Sequence, residues 1–305
     1  MTLALLCPGQ GGQQPGMFDR LAASVAAAPM LQVLAQLLGA APATLAADPD
    51  RFRNAMAQPL VCAAALGHWL ALRDHLPPPR VVAGYSAGEL AAHAVAGSLE
   101  PAQCLQLAID RAAAMDAAAP ADGGLLAVIG LERGVIDALC RDHGVFVAIV
   151  NGDDHVVLGG QRPALDALQA AAESRGARSV PLPVSVPAHT PLLASAAAAF
   201  AQRLAVTELH APRTRLLAGI DGRSVVTVEQ VRRSLAEQIE QTVQWQTVMQ
   251  QAVEHGARVF LELGPGSALS RRARELHPQL QARSVEEFHT LEGVLEWVQA
   301  ASARA

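Results

Sequence analysis

Aromatic residues are scarce in this sequence. Three Trp, one Tyr and six Phe make up 3% of 305 residues. Its core must therefore be aliphatic, with alanine prominent, which favours closely packed helices lying on a sheet. Cysteine is sparse too. Cys7, Cys62, Cys104 and Cys140 lie far apart with no CxxC pair, so neither a zinc site nor a redox motif is signalled. They are expected as small buried residues in a reducing compartment. There is no large basic block and the formal charge is −5, which argues against nucleic acid as a partner. No apolar run approaches the length that spans a bilayer. The opening stretch, MTLALLCPGQ, carries no basic leader before its short apolar run and reads as a first strand rather than a signal peptide. The expectation is a cytoplasmic protein with no membrane partner and no metal.

About half of the chain is apolar, enough for one large domain or two smaller ones. Leu3 to Cys7 suits a buried parallel strand. A helical pattern from Met17 to Leu38 is broken by Pro29, and a second helix is expected over Pro59 to His75. Val81 to Gly84 is a short strand followed by a helix over Glu89 to Ala96, and Pro101 opens another helix to about Ala117. The pattern changes near Ala121. Strands over Leu125–Leu131, Val145–Val150, His155–Gly160 and Arg178–Val184 alternate with helices over Glu132–His143 and Pro163–Arg175. This β-α-β-β-α-β order predicts a ferredoxin-like unit, residues 122–188. It is inserted in a larger α/β-hydrolase-like domain with a parallel sheet, residues 1–121 and 189–305. Later, a helix follows Pro191, a long helical stretch covers Val228 to His255, and a strand covers Val259 to Leu263 before Gly264-Pro265-Gly266.

Gly84-Tyr85-Ser86-Ala87-Gly88 has the form G-x-S-x-G between a strand and a helix, the nucleophile-elbow pattern. So tight a turn needs small flanking residues. It exposes the Ser86 hydroxyl and sets the Ala87 N–H at a helix N-terminus, where an oxyanion is favoured. The glycine-rich turn Pro8-Gly9-Gln10-Gly11-Gly12-Gln13 lacks the Lys-Ser/Thr of a phosphate loop, but can bring a second N–H to the same place. Of ten histidines, His189 stands in the proline-bracketed turn Val186–Pro191. A fixed turn can aim an imidazole, and the same residue also reads as an ordinary histidine before a helix. Cys104, Ala108, Arg111 and Met115 share one helical face. A guanidinium there either grips a carboxylate bidentately or is solvated or paired with a nearby acid. The pattern alone leaves both open.

Taken together, PGQGGQ, GYSAGE, the RAAAM segment that begins at Arg111, VSVPAHT and ELGPG lie in the order found in malonyl-CoA:acyl-carrier-protein transacylases, and the chain resembles that family from Leu3 to Leu269. Within the family it is most similar to the epsilon subunit of malonate decarboxylase, because Tyr85 stands where fatty-acid-synthesis enzymes usually carry histidine. The resemblance implies roles at matching positions. Ser86 is the acylated nucleophile and His189 its base. Gln10 and Ala87 give the oxyanion-hole N–H groups, and Arg111 binds the malonyl carboxylate. Gln58, Asn151 and Met115 lie on the substrate side, and the main-chain carbonyl of His255 orients His189. Around Asn151 the chain reads NGDDHVVLGG and lacks the proline often found there. No bound cofactor is implied. The coenzyme A thioester is a substrate, and the partner is an acyl carrier protein, for the epsilon subunit one carrying a coenzyme-A-like prosthetic group.

Overall fold

A computed structural model of the chain describes residues 2–304. The apolar run Leu3–Cys7 forms strand β1, with all five residues fully buried. It lies at the centre of a six-stranded sheet. The other members are β2 (Val81–Gly84), β7 (Leu216–Leu217), β8 (Ser224–Val225), β9 (Val259–Glu262) and β10 (Gln281–Ser284), in the order β10-β9-β1-β2-β7-β8. All neighbouring pairs are parallel except β7 with β8. Parallel strands covered on both faces read as unbroken apolar runs, which is why β1 and β9 are visible in the sequence.

A second, four-stranded sheet is built from β3 (Gly123–Ile129), β4 (Phe146–Gly152), β5 (His155–Gln161) and β6 (Arg178–Pro181), in the order β4-β5-β3-β6 and wholly antiparallel. Its side chains alternate between two cores. Leu126, Val128, Val156 and Leu158 pack with the helices Arg133–His143 and Arg162–Glu173. Leu125, Ile149 and Val157 face the other way and join the core of the large sheet. Period-two alternation thus seats one face of this small sheet over the large one. Each buried Leu or Val contributes about 1.5–3 kcal/mol.

Several elements differ from expectation, each for a physical reason. Residues 17–27 contain only a short 3-10 turn, and the helix begins at Ala28 with Pro29 in its first turn, where proline is tolerated. The second helix runs Asn54–Leu72 and takes Pro59 inside it. That helix has 19 residues and a mean hydropathy of 1.4, long and apolar enough to cross a membrane by length and composition, contrary to the expectation that no such run exists. Within this fold 72% of the segment is buried, and that packing outweighs the local cost of the proline. The expected long helix over Val228 to His255 is two helices, Val228–Glu237 and Trp245–Glu254. Between them the backbone leaves the helix to bond elsewhere. Val243 N–H donates to Ala148 O at 2.9 Å, Val150 N–H to Val243 O at 2.8 Å, and Gln244 N–H to Gly219 O at 2.8 Å. Gln238 lies at the start of this break.

Candidate active site

The proposed nucleophile sits where the parallel strand β2 ends, and the proposed base lies in the turn that follows the small sheet's last strand, β6. Strand β2 turns at Tyr85-Ser86 into the helix Gly88–Val95. Ser86 has φ 54°, a left-handed conformation that costs a non-glycine residue about 1–3 kcal/mol. The flanking glycines are required by contact. A Cβ on Gly84 would collide with the backbone of Glu89, and one on Gly88 with the backbone of Cys7 and Pro8. His189 is also left-handed, with φ 62°. Its N–H donates to Ile239 O at 2.8 Å, so the helix break described above holds the turn.

The His189 ring lies between two partners. Nε2 is 2.8 Å from Ser86 Oγ and Nδ1 is 2.5 Å from the main-chain oxygen of Gln238. A carbonyl can only accept, so Nδ1 carries the proton and Nε2 presents its lone pair to the serine hydroxyl. Burial, reinforced by the positive charge of Arg111, holds the imidazole down at about 3. It is therefore neutral and able to take a proton at ordinary pH. The partner of Nδ1 corrects the expectation for His255. That residue follows the helix Trp245–Glu254, and its carbonyl accepts from Arg80 while its ring meets Arg215. His255, Arg80 and Arg215 all precede strands (β9, β2 and β7), and so lie at the opposite edge of the parallel sheet from Ser86.

Arg111, on the helix Pro101–Ala118, is 2% exposed. Its Nη1 donates to Gln58 Oε1 and its Nη2 to Gln238 Oε1, both at 2.8 Å. Gln58 is itself aimed by Asn54 Oδ1 at 2.7 Å, and Asn54 donates to Asp116 at 2.9 Å. Both acceptors of the guanidinium are neutral amides, and among the described residues Arg111 makes no direct ion pair. Burial lowers it only to about 10, so it stays cationic. A buried cation without an anion is costly, and a bound carboxylate would relieve that cost.

A cavity of about 70 Å³ joins these groups. Gln10, Gln58, Ser86, Arg111, Met115 and His189 line it, with Leu125, Ile149 and Val157 of the small sheet as an apolar wall. Asn151 is not in that lining. It belongs to a neighbouring cleft of about 410 Å³ shared with Gln10, Tyr85, Trp245, Arg271 and Arg272. There Tyr85 OH donates to Asn151 Oδ1 at 3.1 Å, and the Tyr85 ring meets Trp245 edge-on at 5.2 Å. Ala87 stands at the N-cap of the helix Gly88–Val95, where N–H groups lack helical partners. Among the described residues no group of three or more His, Cys, Asp or Glu side chains could hold a metal ion.

Sequence reasoning missed Gln238 and Glu89. Gln238 offers its carbonyl to His189 and its side chain to Arg111, while Glu89 accepts from the Gln238 amide. Glu89 was visible inside GYSAGE but carried no signal of its own. Gln238 was hidden in what read as continuous helix.

This geometry can deprotonate a serine, shelter an oxyanion and hold an anionic group nearby. Known proteins share the architecture. The malonyl CoA-acyl carrier protein transacylase of Haemophilus influenzae is 28% identical over 97% of this chain and 98% of its own length. The crystal structure of FabD from Acinetobacter baumannii superposes with a TM-score of 0.92 at 29% identity, covering 98% of this chain and 99% of that one. A type II polyketide malonyl-transacylase in complex with its acyl-carrier protein gives 0.92 at 28% identity, over 97% and 99%. A family profile described as "Acyl transferase domain" matches residues 4–290, and the chain belongs to that family.

Proposed function

We propose that this protein transfers a malonyl group from coenzyme A to the thiol of an acyl carrier protein through a malonyl ester on Ser86. The observation that carries this reading is the buried Arg111 guanidinium, held only by neutral amides, in one small cavity with Ser86 and His189. The names of the relatives support it.

In the first half-reaction Ser86 Oγ attacks the thioester carbonyl as its proton passes to His189 Nε2. The oxyanion is held by the N–H groups of Gln10 and Ala87. When the tetrahedral intermediate collapses, the C–S bond breaks and the imidazolium returns its proton to the departing thiol. The carrier thiol then repeats the attack on the Ser86 ester and regenerates the hydroxyl. Arg111 grips the far carboxylate of the acyl group, and the small volume of the cavity favours a short acyl chain. The 410 Å³ cleft beside it, with Asn151 on its wall, gives the thioester arm its approach. We read residues 122–188 as a ferredoxin-like insertion in an α/β-hydrolase-like unit of residues 1–121 and 189–305. The four-strand order and the elbow after β2 support this division.

For the acceptor, Tyr85 favours the epsilon subunit of malonate decarboxylase, whose carrier bears a coenzyme-A-like prosthetic group. The relatives reported above favour the same chemistry on the phosphopantetheine carrier of fatty-acid or polyketide synthesis. Offering both purified carriers to the malonylated protein decides between them. Transfer only to the coenzyme-A-modified carrier supports the first, and transfer to the phosphopantetheine carrier supports the second. Rapid release of free malonate to water contradicts both.

A further inference from the structure

The side chain of Gln238 joins three parts of the site. Its Oε1 accepts from Arg111 Nη2 at 2.8 Å, while its Nε2 donates to the Ser86 carbonyl at 3.1 Å and to Glu89 Oε2. A primary amide can turn end for end with little change of shape. Here only one orientation pairs donors with acceptors. Reversed, the NH₂ would face a guanidinium, and the oxygen would face a carboxyl and a carbonyl.

Glu89 is itself a fixed acceptor. It lies in the first turn of the helix after the nucleophile, is 1% exposed, and does not line the cavity. Its Oε2 also accepts from Gly219 N–H at 3.2 Å. A Cβ on Gly219 would stand 2.6 Å from that oxygen, so the loop can reach the carboxyl because residue 219 is glycine. Oε1 is buried without a partner. When the group is protonated Oε1 can carry the proton, and Oε2 accepts in either state.

We propose that Glu89 is a positioning residue for carboxylate recognition: by fixing the Gln238 amide it sets the direction of the Arg111 guanidinium, and with it the preference for an acyl group that ends in a carboxylate. This rests on the reading of Arg111 given above. Glu89 acts through Gln238 and touches neither Ser86 Oγ nor the acyl group.

The test compares burst release of coenzyme A from malonyl-CoA and from acetyl-CoA by the full chain. Glu89→Leu is expected to lower the malonyl rate about tenfold relative to acetyl. Gln238→Leu, which keeps the main-chain carbonyl for His189, is expected to do the same. The double variant should be no worse than either alone. Glu89→Gln keeps an acceptor and should restore most of the preference. Equal losses on both donors, or additive losses in the double variant, overturn the proposal. Should Glu89→Leu fail to fold, an unchanged malonyl-to-acetyl ratio in Gln238→Leu overturns it equally. Arg111→Ala separates the two levels. If it loses the preference while the Glu89 and Gln238 variants keep it, this proposal alone fails. If Arg111→Ala keeps the preference, the reading of Arg111 fails and this proposal with it.

Discussion

Ser86 Oγ lies 2.8 Å from His189 Nε2, and these two are the non-glycine residues of the described chain with positive φ. Each end of this hydrogen bond is thus held in a conformation the backbone disfavours. The surrounding contacts impose it: the glycine-lined elbow on one side, the bond from His189 N–H to Ile239 O on the other. Strain at Ser86 is measurable. Ser86→Gly and Ser86→Ala both remove the hydroxyl, but only alanine keeps the left-handed cost. Ser86→Gly should unfold at higher denaturant than Ser86→Ala, by about 0.5–1 kcal/mol after the greater entropy of unfolded glycine is allowed for. The reverse order would mean the elbow is unstrained.

The same hydrogen bond supports the proposal that His189 is the base. His189→Ala should slow acylation by roughly 10²–10⁴-fold, read as burst release of coenzyme A. Burial and the charge of Arg111 hold the imidazole at about 3. The acylation rate should therefore show no acid limb near the ordinary histidine value of about 6.5. Half-loss of rate near pH 6.5, with the fold intact, would contradict a pre-neutralised base.

Arg111→Ala should reduce malonyl transfer by at least about 10²-fold more than acetyl transfer, since a carboxylate would then be buried without its bidentate partner. Parallel kinetics with malonyl-CoA and acetyl-CoA measure this, and equal losses would argue against a carboxylate grip.

How much of the site could be read from sequence depended on how local its physics is. The Ser86 elbow is a five-residue steric problem, so its solution shows in the residues themselves. Arg111 showed only as a polar member of an otherwise small and apolar helical face, and nothing in the helix said whether an anion would meet it. Gln238 left no local mark. It acts through a main-chain carbonyl that any residue carries, and through an amide whose partners, Glu89 and Arg111, are more than a hundred residues away in sequence. The helix break that frees it arises from bonds to the small sheet and to Gly219, which no window around residue 238 contains. The resemblance implies a histidine-orienting carbonyl at His255, but His255 precedes β9, and residues that enter parallel strands lie at the end of the sheet away from Ser86, so Gln238 takes that place. Strands β7 and β8 escaped notice because two residues define no period, and β10, Gln-Ala-Arg-Ser, because an edge strand can be polar.

Stability should depend on pH through five buried groups. Burial holds His68 at about 4, and His93 and His189 at about 3, so the unfolded chain binds their protons first as pH falls below about 6.5 and the fold loses stability. Burial raises Glu89 and Glu262 to about 7, so the folded state binds those protons first. Their contribution grows as pH falls from 7 toward the unfolded carboxylate value of about 4.3. The two effects oppose each other between about pH 6.5 and 4.3, and below that only the histidines continue to act. Thermal melts should show a shallow decline followed by a steeper one. Glu262→Gln removes part of the offset and should steepen the upper limb; an unaltered slope would contradict this assignment.

The most direct test is to incubate the protein with malonyl-CoA, quench with acid and locate the acyl group by peptide mass spectrometry. A malonyl ester is expected on Ser86, discharged on addition of a carrier thiol and absent from Ser86→Ala. A malonyl group on any other residue, or an undiminished burst of coenzyme A from Ser86→Ala, would contradict it.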